Sequence, residues 1–116
     1  MTFGSLFTSI GGFDRGLERV GMECLWQVEI NAYCLKVLFK HWPMVPKYED
    51  IKTCGGHNLE KVNLICGGFP CQDISCAGKR AGIHGSRSGL WKEMFRLICE
   101  IRPRYVIVEI GRFHLG

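Results

Sequence analysis

An open α/β fold with a mostly parallel sheet is what this 116-residue sequence predicts. Three observations lead there. Strand-like apolar runs and segments of helical period follow one another in the order β-α-β-α-β-β-α-β. The first strand runs directly into a glycine turn that opens a helix. Polar or reactive residues collect at the carboxyl ends of the strands, where open parallel sheets bind ligands. No linker, repeat or low-complexity segment divides the chain, so residues 1–116 read as a single domain.

Thr2 to Phe7 is short and apolar enough for a buried strand, and Thr8-Ser9-Ile10-Gly11-Gly12 supplies a small-residue turn. Phe13, Leu17 and Val20 then repeat at helical spacing until Gly21 stops the helix. A helix N-terminus behind such a turn suits anionic or polar ligand groups, although a plain strand-to-helix connection has the same pattern. Glu23 to Ile30 reads as the second strand, with Glu29 at its carboxyl end. Asn31 caps a helix whose stripe is Leu35, Leu38 and Trp42, and Pro43 ends it. Glu29 follows the glycine turn by roughly 20 residues, the spacing at which an acidic side chain meets ribose hydroxyls in dinucleotide-type folds. A solvated carboxylate beside a helix start fits that spacing equally.

Pro46 to Ile51 is a poor strand ending in Asp50, which reads either as a turn residue or as a ligand-facing carboxylate. Cys54 to Asn58 is loop, and Lys61 to Cys66 is the fourth strand. Gly67 to Ser88 reads as one long loop, a length that usually marks a functional lid or disorder. Ser88 caps the last helix, with Leu90, Met94, Leu97, Ile98 and Ile101 on its face, and Pro103 ends it. Tyr105 to Ile110 is a near-continuous apolar strand of the kind covered on both faces, carrying Glu109 near its end.

Composition removes several classes of protein. Apolar content of 47% with 22% charged residues belongs to a globular chain. The apolar runs are too short to span a bilayer and the N-terminus lacks a signal-peptide pattern, which predicts a cytoplasmic protein with no membrane partner. Seven cysteines without a CxxC pair predict reduced, mostly buried thiols. Cys54, His57 and Cys66 lack a fourth ligand, so no metal is expected. The net charge of +4 matters less than its placement, because Lys79, Arg80 and Arg87 gather behind Cys71.

The strand-end set of Gly11-Gly12, Glu29, Asp50, Cys71 and Glu109 suggests covalent chemistry. Gly67-Gly68-Phe69-Pro70 ends an apolar run and presents Cys71, whose thiol becomes a nucleophile once neighbouring cations or a helix terminus lower its pKa. The basic segment behind it could close over a phosphate-bearing substrate, and Glu109 could protonate or hydrogen-bond that substrate. A buried structural cysteine and a solvated glutamate are the plain alternatives.

Taken together these stretches resemble the DNA (cytosine-5)-methyltransferases over almost the whole chain. Leu6-Phe7-Thr8-Ser9-Ile10-Gly11-Gly12-Phe13 is similar to their cofactor-binding motif, and Gly68-Phe69-Pro70-Cys71-Gln72 with Ser75 is similar to their catalytic motif. Arg87-Ser88-Gly89-Leu90 resembles the motif that opens the next helix. The resemblance implies a partial Rossmann-like, S-adenosylmethionine-dependent methyltransferase fold. It implies that Phe7 stacks on adenine, that Ser9, Gly11 and Gly12 admit the methionine part, and that Glu29 takes the ribose hydroxyls. Asp50 and Ile51 would line the adenine, with Ile30, Pro70 and Leu90 completing the cofactor contacts.

It also implies a cytosine flipped out of double-stranded DNA, attacked by Cys71 and held by Glu109. Gln72, Ser75, Lys79, Arg80, Ser86 and Arg87 would lie on a loop closing over the DNA. The implied setting is a bacterial or phage-like restriction-modification protein.

Two departures from the family pattern shape the expectations. Ser9 stands where the family's cofactor turn has its first glycine, which is compatible with cofactor approach if its backbone angles are ordinary. Glu109 is followed by Ile110-Gly111-Arg112-Phe113 instead of Asn-Val. The later strands and the target-recognition region have no counterpart here. The apolar last strand also wants a neighbour, so the sequence reads as a truncated piece, inactive alone, whose partner would be a complementing C-terminal chain. The competing reading is a non-catalytic remnant that binds cofactor, DNA or a partner.

Overall fold

The computed structural model describes residues 1–69 and 86–110. Within them the chain forms β1 (Thr2–Leu6), α1 (Gly12–Arg19), β2 (Glu23–Val28), α2 (Ala32–His41) and β3 (Lys47–Tyr48). A 3-10 turn (Ile51–Thr53), β4 (Leu64–Phe69), α3 (Ser86–Ile101) and β5 (Tyr105–Ile110) follow. Every strand pair is parallel and the order across the sheet is β3-β2-β1-β4-β5. The order reverses between β1 and β4, and the carboxyl ends at such a switch point are where open α/β sheets hold ligands.

Alternation along the strands sorts side chains onto two faces, with a register shift in β2 between Cys24 and Trp26 that puts these two on opposite sides. Phe3, Leu64, Cys24 and Cys66 pack with Phe13 and Leu17 of α1. On the other face Leu6, Trp26, Val28 and Ile65 pack with Met94, Leu97 and Ile101 of α3 and with Ile51, Cys54 and Leu59 of the segment after β3. Gly4 is fixed by this packing, because a Cβ there would sit 2.1 Å from the Trp26 ring. Cys54 therefore belongs to one core and Cys66 to the other, and no cluster able to hold a metal occurs among the described residues.

Three expectations need correction. The fourth strand is Leu64–Phe69, not Lys61–Cys66, so Gly67 and Gly68 lie inside it, opposite Val108 and Glu109. Both lie in the strand rather than a turn; a Cβ on Gly67 would meet Met94 Cε at 2.9 Å, whereas one on Gly68 would make only an ordinary contact, 3.7 Å from the Phe7 carbonyl oxygen. Helix α3 starts at Ser86, a little before the expected cap at Ser88. Finally, β5 is an edge strand among the described residues. Val108 packs against the α3-side core, but Tyr105, Val106 and Ile107 are 51%, 39% and 40% exposed, so the strand is not covered on both faces.

Candidate functional site

The turn after β1 carries an unusual backbone. Phe7 (φ 53°), Ser9 (φ 57°) and Gly11 (φ 88°) all adopt the left-handed region. Gly11 is required twice over, since a Cβ would also strike the Trp42 ring at 2.5 Å. Ser9 thus lacks the ordinary angles under which a serine would match the family's glycine without strain. A pocket of about 310 Å³ opens beside this turn. Its walls include Phe7, Ser9 and Gly12 from the turn, Gly68 from β4 and Glu109 from β5. A Cβ on Gly12 would have nothing within 4 Å, so that side of the turn is open.

The pocket thus joins three expected cofactor residues to the expected catalytic glutamate at the sheet's switch point. Parallel register sets Glu109 opposite Gly68, at the end of β4 that leads to Cys71. Cys71, with Pro70, Gln72, Ser75, Lys79 and Arg80, lies outside the described residues. Ser86 and Arg87 fall in the first turn of α3.

Glu29 stands behind the pocket's turn and ties it down. One carboxylate oxygen accepts from the Ser9 amide at 2.7 Å, and the other from the Asn31 amide at 2.8 Å. Asn31 in turn caps α2 by accepting from the Cys34 amide at 3.0 Å. Ile30 beside it is 71% exposed and is absent from the pocket's walls. Asp50 caps the 3-10 turn by accepting from the Lys52 amide through Oδ1 at 2.9 Å. The side chain of Ile51 is buried in the α3-side core, so only its backbone is left to face a ligand. Leu90 packs against that same core.

The sequence reading passed over a buried polar network beneath the turn. Asp14, in the first turn of α1, is fully buried. Its carboxylate accepts from Ser5 Oγ at 2.8 Å and from Gln27 Nε2 at 2.8 Å. Thr8 Oγ1 lies 3.0 Å from Ser5 Oγ, which connects the carboxylate to two residues of the pocket wall. Burial pushes the Asp14 carboxyl above its ordinary range, against the opposing effect of these hydrogen bonds. Burial, with Asp14 nearby, also pushes the Cys66 thiol up to about 12. Ser5 and Gln27, polar residues in the middle of apolar strands, were the available signal.

The profile of the C-5 cytosine-specific DNA methylases matches residues 1–110. The chain belongs to that family. It is 39% identical over 109 residues to the Type II methyltransferase M2.BsuMI of Bacillus subtilis, covering 90% of this chain and 28% of that one. It is 32% identical over 109 residues to the Type II methyltransferase M.HhaI of Haemophilus parahaemolyticus, covering 94% of this chain and 33% of the other. The chain thus spans about a third of the length of these relatives.

In fold it is similar to a prophage-encoded Escherichia coli protein assigned as a DNA modification methyltransferase. That likeness has a TM-score of 0.78 at 24% identity, over 95% of this chain and 32% of that one. The family's partial Rossmann-like architecture is therefore the one observed. No helix among the described residues is long and apolar enough to cross a membrane.

Proposed function

We propose that this chain carries the cofactor-binding and thiol-presenting part of a DNA (cytosine-5)-methyltransferase that uses S-adenosylmethionine. The observation that carries the reading is the single pocket shared by the Phe7–Gly12 turn and Glu109 at the switch point. The residues present fit the cofactor. The volume lies at the lower end of the usual ligand range of about 300–1,000 Å³. Gly12 leaves open space, and a carboxylate retains acceptor capacity for ribose hydroxyls beyond the two amides that Glu29 already holds. Phe7 would stack on adenine, and Asp50, with the Ile51 backbone, would border it. Pro70 and Leu90 would complete the cofactor contacts. When bound, the cofactor would supply an electrophilic methyl group.

The protein's own groups would then act on cytosine. The Cys71 thiolate adds to ring carbon 6 of a cytosine flipped out of duplex DNA, and a new S–C bond makes carbon 5 nucleophilic. Glu109, with its carboxyl protonated, donates to ring nitrogen 3 and stabilises the negative charge that develops there as the thiolate adds. After methyl transfer, loss of the carbon-5 proton re-forms the 5,6 double bond and expels the thiolate. Gln72, Ser75, Lys79, Arg80, Ser86 and Arg87 contribute to DNA contact on the loop side. The relatives' Type II naming supports a restriction-modification role in the cytoplasm.

Exposed Tyr105, Val106 and Ile107 on the β5 edge favour a completing segment beside that strand, either from further polypeptide or from a complementing chain. The test is methyl transfer from labelled cofactor to mixed-sequence duplex DNA, by the protein alone and with the remaining two-thirds of a relative supplied in trans. Label on cytosine that depends on both Cys71 and Glu109 is the expected result. Cofactor or DNA binding with no transfer under either condition would favour the non-catalytic remnant.

A further inference from the structure

Outside the pocket, Arg96 on α3 is held by four hydrogen bonds. It sits between Glu93 one turn before and Glu100 one turn after. Its Nε donates to Glu93 Oε1 at 2.8 Å and its Nη1 to Glu100 Oε2 at 3.0 Å. With the guanidinium plane fixed by these two carboxylates, Nη2 donates to the Ile51 carbonyl at 3.0 Å and Nη1 to the Cys54 carbonyl at 2.9 Å. These carbonyls bracket the 3-10 turn that Asp50 caps. Glu100 Oε1 grips the next residues by accepting from the Gly56 amide at 2.9 Å. Gly55 permits that approach, since a Cβ there would lie 2.4 Å from the same oxygen. Exposed ion pairs along a helix contribute little stability by themselves. What this arrangement fixes is the position of a short turn relative to α3.

We propose that Arg96 is a positioning residue for the adenine side of the cofactor pocket, acting by clamping the Asp50–Cys54 turn to α3. This rests on the reading above that Asp50 and the Ile51 backbone border the adenine. Helix α3 begins at Ser86, shortly after the segment that carries Cys71, so the clamp ties the adenine wall to the element that follows the nucleophile. The planar guanidinium holds two carboxylates and two carbonyls at once with its five fixed donors, whereas a lysine ammonium has three donors on one atom and cannot hold all four groups.

The test compares wild type, Arg96→Met, Arg96→Lys and Thr2→Val for binding of S-adenosylhomocysteine by titration calorimetry. The temperature is one at which circular dichroism shows every variant folded. Arg96→Met is expected to bind about tenfold more weakly, equivalent to about 1.4 kcal/mol, with Arg96→Lys in between. If Arg96→Met does not fold, Arg96→Lys carries the comparison. Thr2→Val removes the Thr2 hydroxyl's bond to Asn63 at the opposite end of the sheet, and should lower thermal stability without changing affinity. Amide exchange at Thr53 and Cys54 should quicken in Arg96→Met. Wild-type binding with unchanged affinity in both Arg96 variants would overturn the proposal and leave the cofactor reading intact. A wild-type protein that binds no S-adenosylhomocysteine would overturn the cofactor reading and this proposal with it.

Discussion

Glu29→Gln separates the two tasks assigned to one carboxylate. In the folded protein its oxygens accept from the amides of Ser9 and Asn31 at 2.7 and 2.8 Å. Glutamine keeps one acceptor but turns the other terminal atom into a donor, which then meets an amide N–H. One charge-assisted hydrogen bond is lost, worth about 1.5–3 kcal/mol where water is absent. Ser9 and Asn31 are exposed, so water replaces part of it, and the expected loss is about 1–2 kcal/mol. Urea denaturation should show a lower midpoint with an unchanged slope, because the core is untouched. At a temperature where the variant is fully folded, binding of S-adenosylhomocysteine should still be weaker. A variant as stable as wild type would refute the claim that Glu29 anchors the turn. Full stability loss with unaltered binding would refute its ribose role.

Three further outcomes follow from the same geometry. Ser9→Gly relieves a left-handed residue costing about 1–2 kcal/mol, offset by about 0.4–1 kcal/mol of unfolded-state entropy. A thermal midpoint raised by a few degrees is therefore expected, and a lowered one would contradict the φ of 57°. Asp14→Asn tests the buried carboxyl. Its folded pKa is raised, so its contribution is complete below the unfolded value near 3.8 and is lost as pH rises through the folded value. Wild-type stability relative to the asparagine variant should fall across that window in a pH series of urea midpoints, and a rise would contradict the assignment. Native thiol labelling mapped by mass spectrometry should modify exposed Cys99 quickly, and Cys24, Cys54 and Cys66 only on unfolding. Rapid labelling of Cys66 would contradict a thiol pushed up to about 12.

Much of this arrangement was legible in the residues. Apolar runs and helical periodicity gave the order of strands and helices, but not the bounds of β4 and α3. The strand-end rule brought the Phe7–Gly12 turn and Glu109 to one pocket without any contact information. What escaped was decided by tertiary approach. Gly67 and Gly68 look like chain punctuation, yet they continue β4 because they pair in register with Val108 and Glu109 of β5, a strand distant in sequence. Asp14 looks like a first-turn carboxylate favoured by the helix dipole, and only the Ser5 and Gln27 partners reveal it as buried. Glu93, Arg96 and Glu100 read as a surface ion-pair series, while the two carbonyls that Arg96 also holds come from a distant loop. The exposure of β5 reflects which neighbours flank it, and no local pattern encodes that.

The central claim is that Cys71 attacks cytosine while Glu109 holds it, and covalent trapping tests it most directly. Duplex DNA containing 5-fluorocytosine is incubated with S-adenosylmethionine and the protein, completed by a complementing segment, and the adduct is digested and sequenced by mass spectrometry. Fluorine at carbon 5 blocks the final elimination, so a methylated base bonded to Cys71 is predicted, lost in Cys71→Ser and much reduced in Glu109→Gln. DNA and cofactor both bound, with no adduct at Cys71, would contradict the account.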